Sequence, residues 1–268
     1  MRHCAARASV PNVPAMMESV PDVVTLAVVL LGALVAGFTT GFAGFGTGLV
    51  SAGFWFHALP APYVPPLVAL ASVAGQVVGL MAVRHAFAWR RAAPFLAGGL
   101  IGVPIGVAIL ALATPGLLRL SVGAFLVAYA VFQLAGLAKL NVGTWGGRPA
   151  DGTIGLGGGI LGGFAGLSGV LPLVWLQLRG GPSVQQRAVY QPFNLIVLTL
   201  ASLGMVASGQ ITSAVWLIAA LCLPFTLLGA WLGTKAYIGV SEATFRKAVT
   251  VLLLISGAIL VIQTIGAA

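Results

Sequence analysis

The stretch GFTTGFAGFGTGLVS, residues 37–51, interrupts an otherwise apolar run, and it recurs as GGILGGFAGLSGVLP at residues 158–172. The shared core GFAG occupies residues 41–44 and 163–166. Inside a bilayer the backbone leaves the helix only where it is buried in protein or lines a wet cavity. A pair of glycine-rich interruptions at matching places in two halves of a chain therefore indicates the binding site of a transporter.

The composition is that of a helical protein that crosses the membrane several times. Of the 268 residues, 59% are hydrophobic and 6% are charged, whereas soluble chains carry about 25% charged residues. The net charge of +9 comes largely from basic residues in short loops, where they act as topology signals. The lipid bilayer is thus the predicted partner, and nucleic acid is not. Cys4 and Cys222 predict neither a disulfide framework nor a metal cluster.

Apolar blocks divide the chain into two similar halves. We place eight of them at about residues 23–57, 64–83, 92–113, 117–138, 153–178, 188–208, 213–234 and 245–265. Six have the length of one membrane crossing, about 20 residues, and the first and fifth contain the glycine motifs. The predicted organisation is a disordered tail (1–22), a first membrane repeat (23–138), a linker (139–152) and a second membrane repeat (153–265).

The loop charges indicate how the two halves are oriented. If every block crossed once, the basic loops of the two halves would face opposite sides of the membrane, against the positive-inside rule. Hairpins broken at the glycines in blocks one and five would remove this conflict. We therefore predict an all-α fold of two inverted repeats, each a glycine-broken helical hairpin followed by three transmembrane helices. Eight single crossings with a weak charge bias are the alternative.

The helix breaks are the candidate binding site. A broken helix presents free backbone N–H groups at a helix start, and these groups, with the helix dipole, attract anions. The candidate substrate contacts at the two breaks are Gly41, Gly44, Gly46, Thr47, Gly48, Gly163, Gly166, Ser168 and Gly169. We also assign Gly155, Gly157, Gly158 and Gly159 to the second break, because their spacing departs from helix periodicity. The alternative for glycines spaced by four, such as Gly37 and Gly41, is close packing of helices.

A polar cluster at the start of block six extends the candidate site. Arg187, Gln191 and Asn194 share one face of a helix. An arginine there can bind an oxyanion through two hydrogen bonds, although an ordinary topology-setting arginine fits the pattern equally well. The counterpart in the first half is plainer, with Ser72 and Gln76, and with Pro65 in place of Arg187.

The distribution of ionisable groups bears on the direction of transport. The four acidic residues are predicted to lie in tails or loops, so no carboxylate is expected within a span to carry protons. Outward movement of one negative charge releases about 2.3 kcal/mol per 100 mV of inside-negative potential, which favours export of an anion. Sodium held by backbone carbonyls would leave no trace in the sequence. Ser168 lies in a GxSG pattern that suits an intramembrane serine protease, but no histidine follows His85 to activate it.

These motifs resemble those of the sulfite exporter TauE/SafE family, also called toluene-sulfonate uptake permeases, over roughly residues 25–265. The similarity lies in GFTTGFAGFGTGLV, GGFAGLSGVLPLV and the RAV step at residues 187–189. Where the family has a G-x-G-G-G-like core, this chain has Gly44-Phe45-Gly46-Thr47-Gly48. The resemblance implies a multi-pass permease of the bacterial inner membrane for small sulfur-containing anions, with contacts at the glycine segments and Arg187.

The predicted function is export or exchange of such an anion, for example sulfite or an organosulfonate, by alternating access between the two halves. No cofactor, metal or catalytic residue is predicted. The alternatives are an anion channel and a sodium-coupled importer of organosulfur anions, with the protease least favoured. The sequence leaves the oligomeric state open, a homodimer included.

Overall fold

The computed structural model describes residues 22–83, 88–137, 140–143, 145–236 and 242–266, and within these ranges the chain is helical with no strand. The described helices are α1 Val23–Ala43, α2 Thr47–Ala58, α3 Val64–Val83, α4 Trp89–Leu112, α5 Pro115–Leu134, α6 Gly147–Ala165, α7 Val170–Arg179, α8 Ser183–Ala207, α9 Ser213–Lys235 and α10 Glu242–Gly266, with a 3-10 turn at Ala61–Tyr63. Residues 1–21 of the predicted tail lie outside the described residues.

The helices have the length and composition of membrane spans. Seven segments of the described chain are long and apolar enough to cross a bilayer, and they correspond to α1, α3, α4, α5, α8, α9 and α10. The all-α membrane fold is therefore confirmed. Apolar blocks one and five each contain two helices, α1 with α2 and α6 with α7, because the glycine motifs break them.

In the first hairpin, α1 and α2 pack side by side with the glycine motif at the turn. Trp55 Nε1 of α2 donates to the carbonyl oxygen of Val29 on α1 at 3.0 Å. Gly44, with φ 79°, ends α1, and Gly46, with φ 105°, precedes α2. Only glycine adopts such positive φ values without steric cost. The longer leg, α1, has 21 residues and the shorter leg, α2, has 12.

In the second hairpin, a partly buried ion pair joins α6 to α7 at the end away from the glycine motif. Asp151 of α6 accepts a hydrogen bond from Trp175 Nε1 at 2.8 Å and pairs with Arg179 Nη1 at 3.0 Å. Gly166, with φ 72°, ends α6. The expectation that Asp151 lies in a loop was wrong, because α6 begins at Gly147, within the stretch assigned to the linker.

The long leg of the first hairpin packs on α9 through glycines in both helices. A Cβ atom on Gly37 or Gly41 would lie 2.2 or 2.0 Å from the carbonyl oxygen of Thr226 or Ala230. On α9, Gly229 and Gly233 would clash in the same way with backbone of α1. Small residues of this kind allow two membrane helices to approach at backbone distance.

The long leg of the second hairpin packs on α4 in the same manner. Added Cβ atoms would meet facing backbone within 2.0–2.5 Å at Gly98, Gly102, Gly106, Gly155, Gly159 and Gly163. The assignment of Gly155, Gly157, Gly158 and Gly159 to the helix break was wrong, because α6 continues through them to Ala165. Three of the glycines on α6 are spaced by four and form a packing face instead.

If α1–α5 of the first half are matched in order with α6–α10 of the second half, the same helix pairs are in contact in both directions. The pairing of α1 with α9 corresponds to that of α6 with α4, and the pairing of α3 with α9 corresponds to that of α8 with α4. The helices α3 and α8 also pack on each other, as do α5 and α10. This arrangement brings the two helix breaks together in the interior of the protein.

Candidate functional site

A cavity of about 30 Å³ lies between the two helix breaks. Its lining residues are Phe45, Gly46, Thr47, Gly48, Leu49, Ser72, Gln76, Gly166, Leu167, Ser168, Gly169, Val170, Asn194 and Leu198. Most of them form pairs in which one residue of the first half corresponds to one of the second half. Residues 72 and 194, for example, are as far apart in the sequence as the two copies of GFAG, and so are residues 76 and 198. Both halves thus contribute equivalent positions to one site.

The first wall of the cavity is the start of α2. Thr47 donates its backbone N–H to Thr40 Oγ1 at 3.0 Å, and the hydroxyl groups of Thr40 and Thr47 are hydrogen-bonded to each other. Gly48 and Leu49 occupy the next two positions, whose N–H groups have no intrahelical partner because of their place in the helix. This wall therefore presents N–H donors at the positive end of a helix dipole.

The second wall is the start of α7 with the amide of Asn194 packed over it. Ser168 Oγ donates to Asn194 Oδ1 at 3.0 Å, which leaves the Nδ2 group of Asn194 as a donor. A Cβ atom on Gly169 would lie only 2.2 Å from Asn194 Nδ2, so a larger residue there would displace the Asn194 amide. The partner of Ser168 is an amide and not a general base, which removes support for the protease alternative.

The third wall belongs to α3 and carries polar atoms without partners. Ser72 and Gln76 are each 2% exposed, and Ser72 Oγ and Gln76 Oε1 make no hydrogen bond within the described chain. A buried polar atom left unpaired costs about 1–3 kcal/mol. Two such atoms in the wall of one cavity indicate that water or a ligand completes their hydrogen bonding.

Arg187, Tyr190 and Gln191 bind the end of α1 instead of lining the cavity. Arg187 Nη2 donates to the carbonyl oxygen of Phe42 at 2.9 Å, and Tyr190 and Gln191 donate to the next two carbonyls, of Ala43 and Gly44, at 3.3 Å each. The last carbonyls of a helix have no intrahelical partner and carry its negative dipole end. These three side chains satisfy them, and the cation of Arg187 has the favourable sign.

The predicted site residues therefore fall into two groups. The structure brings together at the cavity Gly46, Thr47, Gly48, Gly166, Ser168, Gly169 and Asn194. It places Gly41, Gly44, Gly163, Arg187 and Gln191 outside the lining, at helix contacts and at the end of α1. Ser72 and Gln76 line the cavity although the sequence predicted no substrate contact at them. Their alignment with Asn194 and Leu198 was the signal that they belong to the same site.

The electrostatics of the cavity come from neutral groups. None of its lining residues is ionisable. Two helix starts, three hydroxyls and two amides surround the space, so its potential is set by dipoles. Within the described residues, no group of three His, Cys, Asp or Glu side chains is placed to hold a metal ion. Such a site can bind a small charged solute through neutral hydrogen-bond donors.

Comparison with models of known protein families matches residues 29–260 to the family described as sulfite exporter TauE/SafE. No curated protein and no solved structure matches the chain. The match covers both helix breaks and every residue that lines the cavity.

Proposed function

The chain belongs to the sulfite exporter TauE/SafE family, and on that premise we propose that it exports, or exchanges, a small sulfur-containing anion by alternating access. The observation that carries this proposal is the central cavity, where two helix starts converge on unpaired polar atoms and no lining side chain is ionisable. N–H groups at helix starts bind anions without a fixed cation. Neutral donors hold a divalent anion weakly enough for it to leave again, which transport requires.

The size of the cavity favours a sulfite-sized substrate. A volume of about 30 Å³ holds about two water molecules measured in the same way. An oxyanion of a few heavy atoms suits this space once the waters leave, whereas an aryl sulfonate requires a much wider opening. Among the anions considered from the sequence, we therefore place sulfite before the organosulfonates.

The driving force we propose is the membrane potential. Asp151, the buried acidic side chain of the described helices, is paired with Arg179 and does not line the cavity. Export needs no proton carrier, because an anion moves outward down an inside-negative potential. This argument supports export over concentrative uptake.

A sodium-coupled importer is the second candidate, because Ser72 Oγ and Gln76 Oε1 are two unpaired oxygen atoms in the same wall. Oxygen ligands of this type coordinate hard cations. Sodium dependence of flux separates the two functions. Export driven by the potential is unaffected when choline replaces sodium, whereas coupled import stops.

The topology we propose is that of inverted repeats in the inner membrane of a bacterium. The two hairpins and the exchange of helix contacts between halves support it. Single cysteines near residues 60 and 210 should react with impermeant reagents from outside, and those near 88, 145 and 183 from inside. Reaction of positions 88 and 183 from opposite faces would exclude this topology.

Transport itself is tested with purified protein in liposomes loaded with sulfite. We expect saturable efflux that accelerates when the potential favours anion exit, and a loss of about tenfold or more in Asn194→Ala, because a hydrogen bond to a charged group contributes about 1.5–3 kcal/mol. Ser202→Ala is the matched control, since Ser202 is, like Asn194, a buried polar residue of α8 but does not line the cavity. Wild-type liposomes that release sulfite no faster than protein-free ones would refute the proposal, and non-saturating conductance would indicate a channel.

A further inference from the structure

The side chain of Phe45 lies between two cavities and lines both. It lines the central cavity together with Gly46 and Leu49, and the same three residues line a second space of about 10 Å³. The remaining lining of the second space comes from Thr39, Ala43, Tyr129, Phe245, Arg246, Val249, Thr250 and Leu253. Movement of one side chain, that of Phe45, would therefore join the two spaces.

The second space differs from the central one in carrying an ionisable group. The guanidinium of Arg246 lies 5.8 Å from the centre of the Phe45 ring, which is within the range of a cation–π contact. Thr250, one turn along α10, donates its hydroxyl to the carbonyl oxygen of Arg246 at 2.7 Å. An anion that passed Phe45 would thus meet a cation in a partly buried setting, where electrostatic attraction is strong.

The backbone at Phe45 is suited to movement. The residue lies outside both helices, between Gly44 with φ 79° and Gly46 with φ 105°. Glycines on both sides allow the chain to rotate there with little steric cost. The counterpart residue, Leu167, is held more firmly, because its N–H donates to the carbonyl oxygen of Leu161 at 3.2 Å, and no such backbone bond restrains Phe45 within the described chain.

The ring of Phe45 has favourable contacts in its present position. It packs edge-to-face with Tyr190, with ring centres 6.5 Å apart, and lies against Arg246 on the other side. Aromatic and cation–π contacts of this kind stabilise the ring in this position. These contacts hold the ring between the two spaces. An anion bound to Arg246 would compete with the ring for the guanidinium.

We propose that Phe45 is the gate of the central cavity on the side of α10, and that an anion crossing this gate binds next to Arg246 and Thr250. This inference rests on the proposed function. It adds the route by which the substrate enters or leaves and the residues that control it. In the proposed topology the gate faces the cytoplasm, since the start of α10 is placed there.

Accessibility of the central cavity tests the gate. In a background without Cys4 and Cys222, Ser72→Cys places a thiol in the cavity wall, and its reaction with an impermeant thiosulfonate is followed from each side of inverted and right-side-out vesicles. We expect Phe45→Ala to accelerate the reaction about tenfold or more from one side only. Phe56→Ala, at a buried phenylalanine of α2 that lines neither space, is the control and should leave the rate from that side unchanged. Equal rates in wild type and Phe45→Ala would overturn the gate.

Flux measurements test the site beyond the gate. Arg246→Gln should raise the KM for sulfite about tenfold, because a charged hydrogen-bond donor is lost, and Arg246→Lys should restore part of it. Lys247→Gln, on the exposed side of the same helix, is the charge-matched control and should have no effect. An unchanged KM in Arg246→Gln would overturn the assignment of this site.

Two further measurements distinguish a failure of the gate from a failure of the proposed function. Phe45→Leu, which introduces the counterpart side chain, serves if Phe45→Ala does not fold, and it should accelerate labelling to a smaller extent. Wild-type protein that neither binds nor transports sulfite refutes the proposed function. Wild-type transport combined with Phe45 and Arg246 variants that match their controls refutes only the gate.

Discussion

The two helix breaks share a positive-φ glycine, Gly44 in the first and Gly166 in the second, and they differ in their surroundings. At the first break, Gly44 lies against the ends of three polar side chains, Arg187, Tyr190 and Gln191. At the second break, Gly166 lies against Val68 and the backbone of Ala69, which occupy the counterpart positions on α3. A glycine thus provides the positive φ that ends each long leg, while the neighbouring helix determines how firmly each break is held and how it can move.

The largest expected effect concerns these two glycines. Alanine at either position has a positive φ, which costs about 1–2 kcal/mol. At Gly166 its Cβ would also lie 2.6 Å from Val68 Cγ1 and 3.0 Å from the backbone nitrogen of Ala69. At Gly44 the obstructing atoms are the ends of flexible side chains.

Gly166→Ala should therefore lower the melting temperature in detergent by about 10 °C, and Gly44→Ala by about half as much. Thermal unfolding followed by tryptophan fluorescence measures both. Equal losses would show that the surroundings of the breaks do not differ in stiffness.

The open ends of the hairpins provide the second test. The second hairpin is closed by Asp151 with Arg179 and Trp175, and the first by the single hydrogen bond from Trp55 to Val29. Removal of the Asp151 carboxylate breaks a charged hydrogen bond to the partly exposed Arg179 and the hydrogen bond from Trp175, which costs about 3 kcal/mol together, whereas loss of one neutral hydrogen bond costs about 1 kcal/mol. Asp151→Ala should thus lower the melting temperature about three times as much as Trp55→Phe, and the reverse order would contradict the role of the ion pair.

The third test asks what Arg187 does. Its hydrogen bond to the carbonyl of Phe42 is part of the cap on α1, so Arg187→Ala should cost about 2 kcal/mol, or about 4–8 °C. Pro65→Ala, at the counterpart position on α3, should cost little. Sulfite flux should fall in kcat with KM unchanged. A raised KM at unchanged melting temperature would instead place Arg187 on the substrate, as its position in the sequence predicts.

The smallest expected effect distinguishes the cavity from the rest of the interior. Ser72 and Ser202 both have a buried hydroxyl without a partner in the described chain, and only Ser72 lines the cavity. Replacement of either by alanine removes an unsatisfied group and should leave the stability unchanged or raise it by up to about 1 kcal/mol. Only Ser72→Ala should weaken sulfite binding, by a few-fold in calorimetry. Equal binding by both variants would remove Ser72 from the site.

The sequence predicted the hairpins because the doubled GFAG motif and the loop charges are independent signals that agree. It did not predict that Gly155 and Gly159 lie inside a helix, since glycine both ends helices and allows them to pack closely. The deciding feature is the facing row of Gly98, Gly102 and Gly106, which only the fold identifies as the partner.

The same limit applies to the candidate site. The polar face of α8 was evident from spacing, but its residues divide between two tasks. Arg187 and Gln191 bind the end of α1, and Asn194, one turn further, lies at the cavity. The spacing of residues along one helix does not show which of them contact the end of α1 and which line the cavity beyond it.

The glycine contacts determine which parts of the protein can move as rigid bodies. The closest backbone approaches join α1 to α9 and α4 to α6, and each pair takes one helix from either half of the chain. Separation of the N-terminal half from the C-terminal half would break both contacts at once. Under the alternating access that we propose, the units that rock against each other would therefore be the two mixed pairs. Two separately expressed halves of the chain should each be unstable until they assemble with one another.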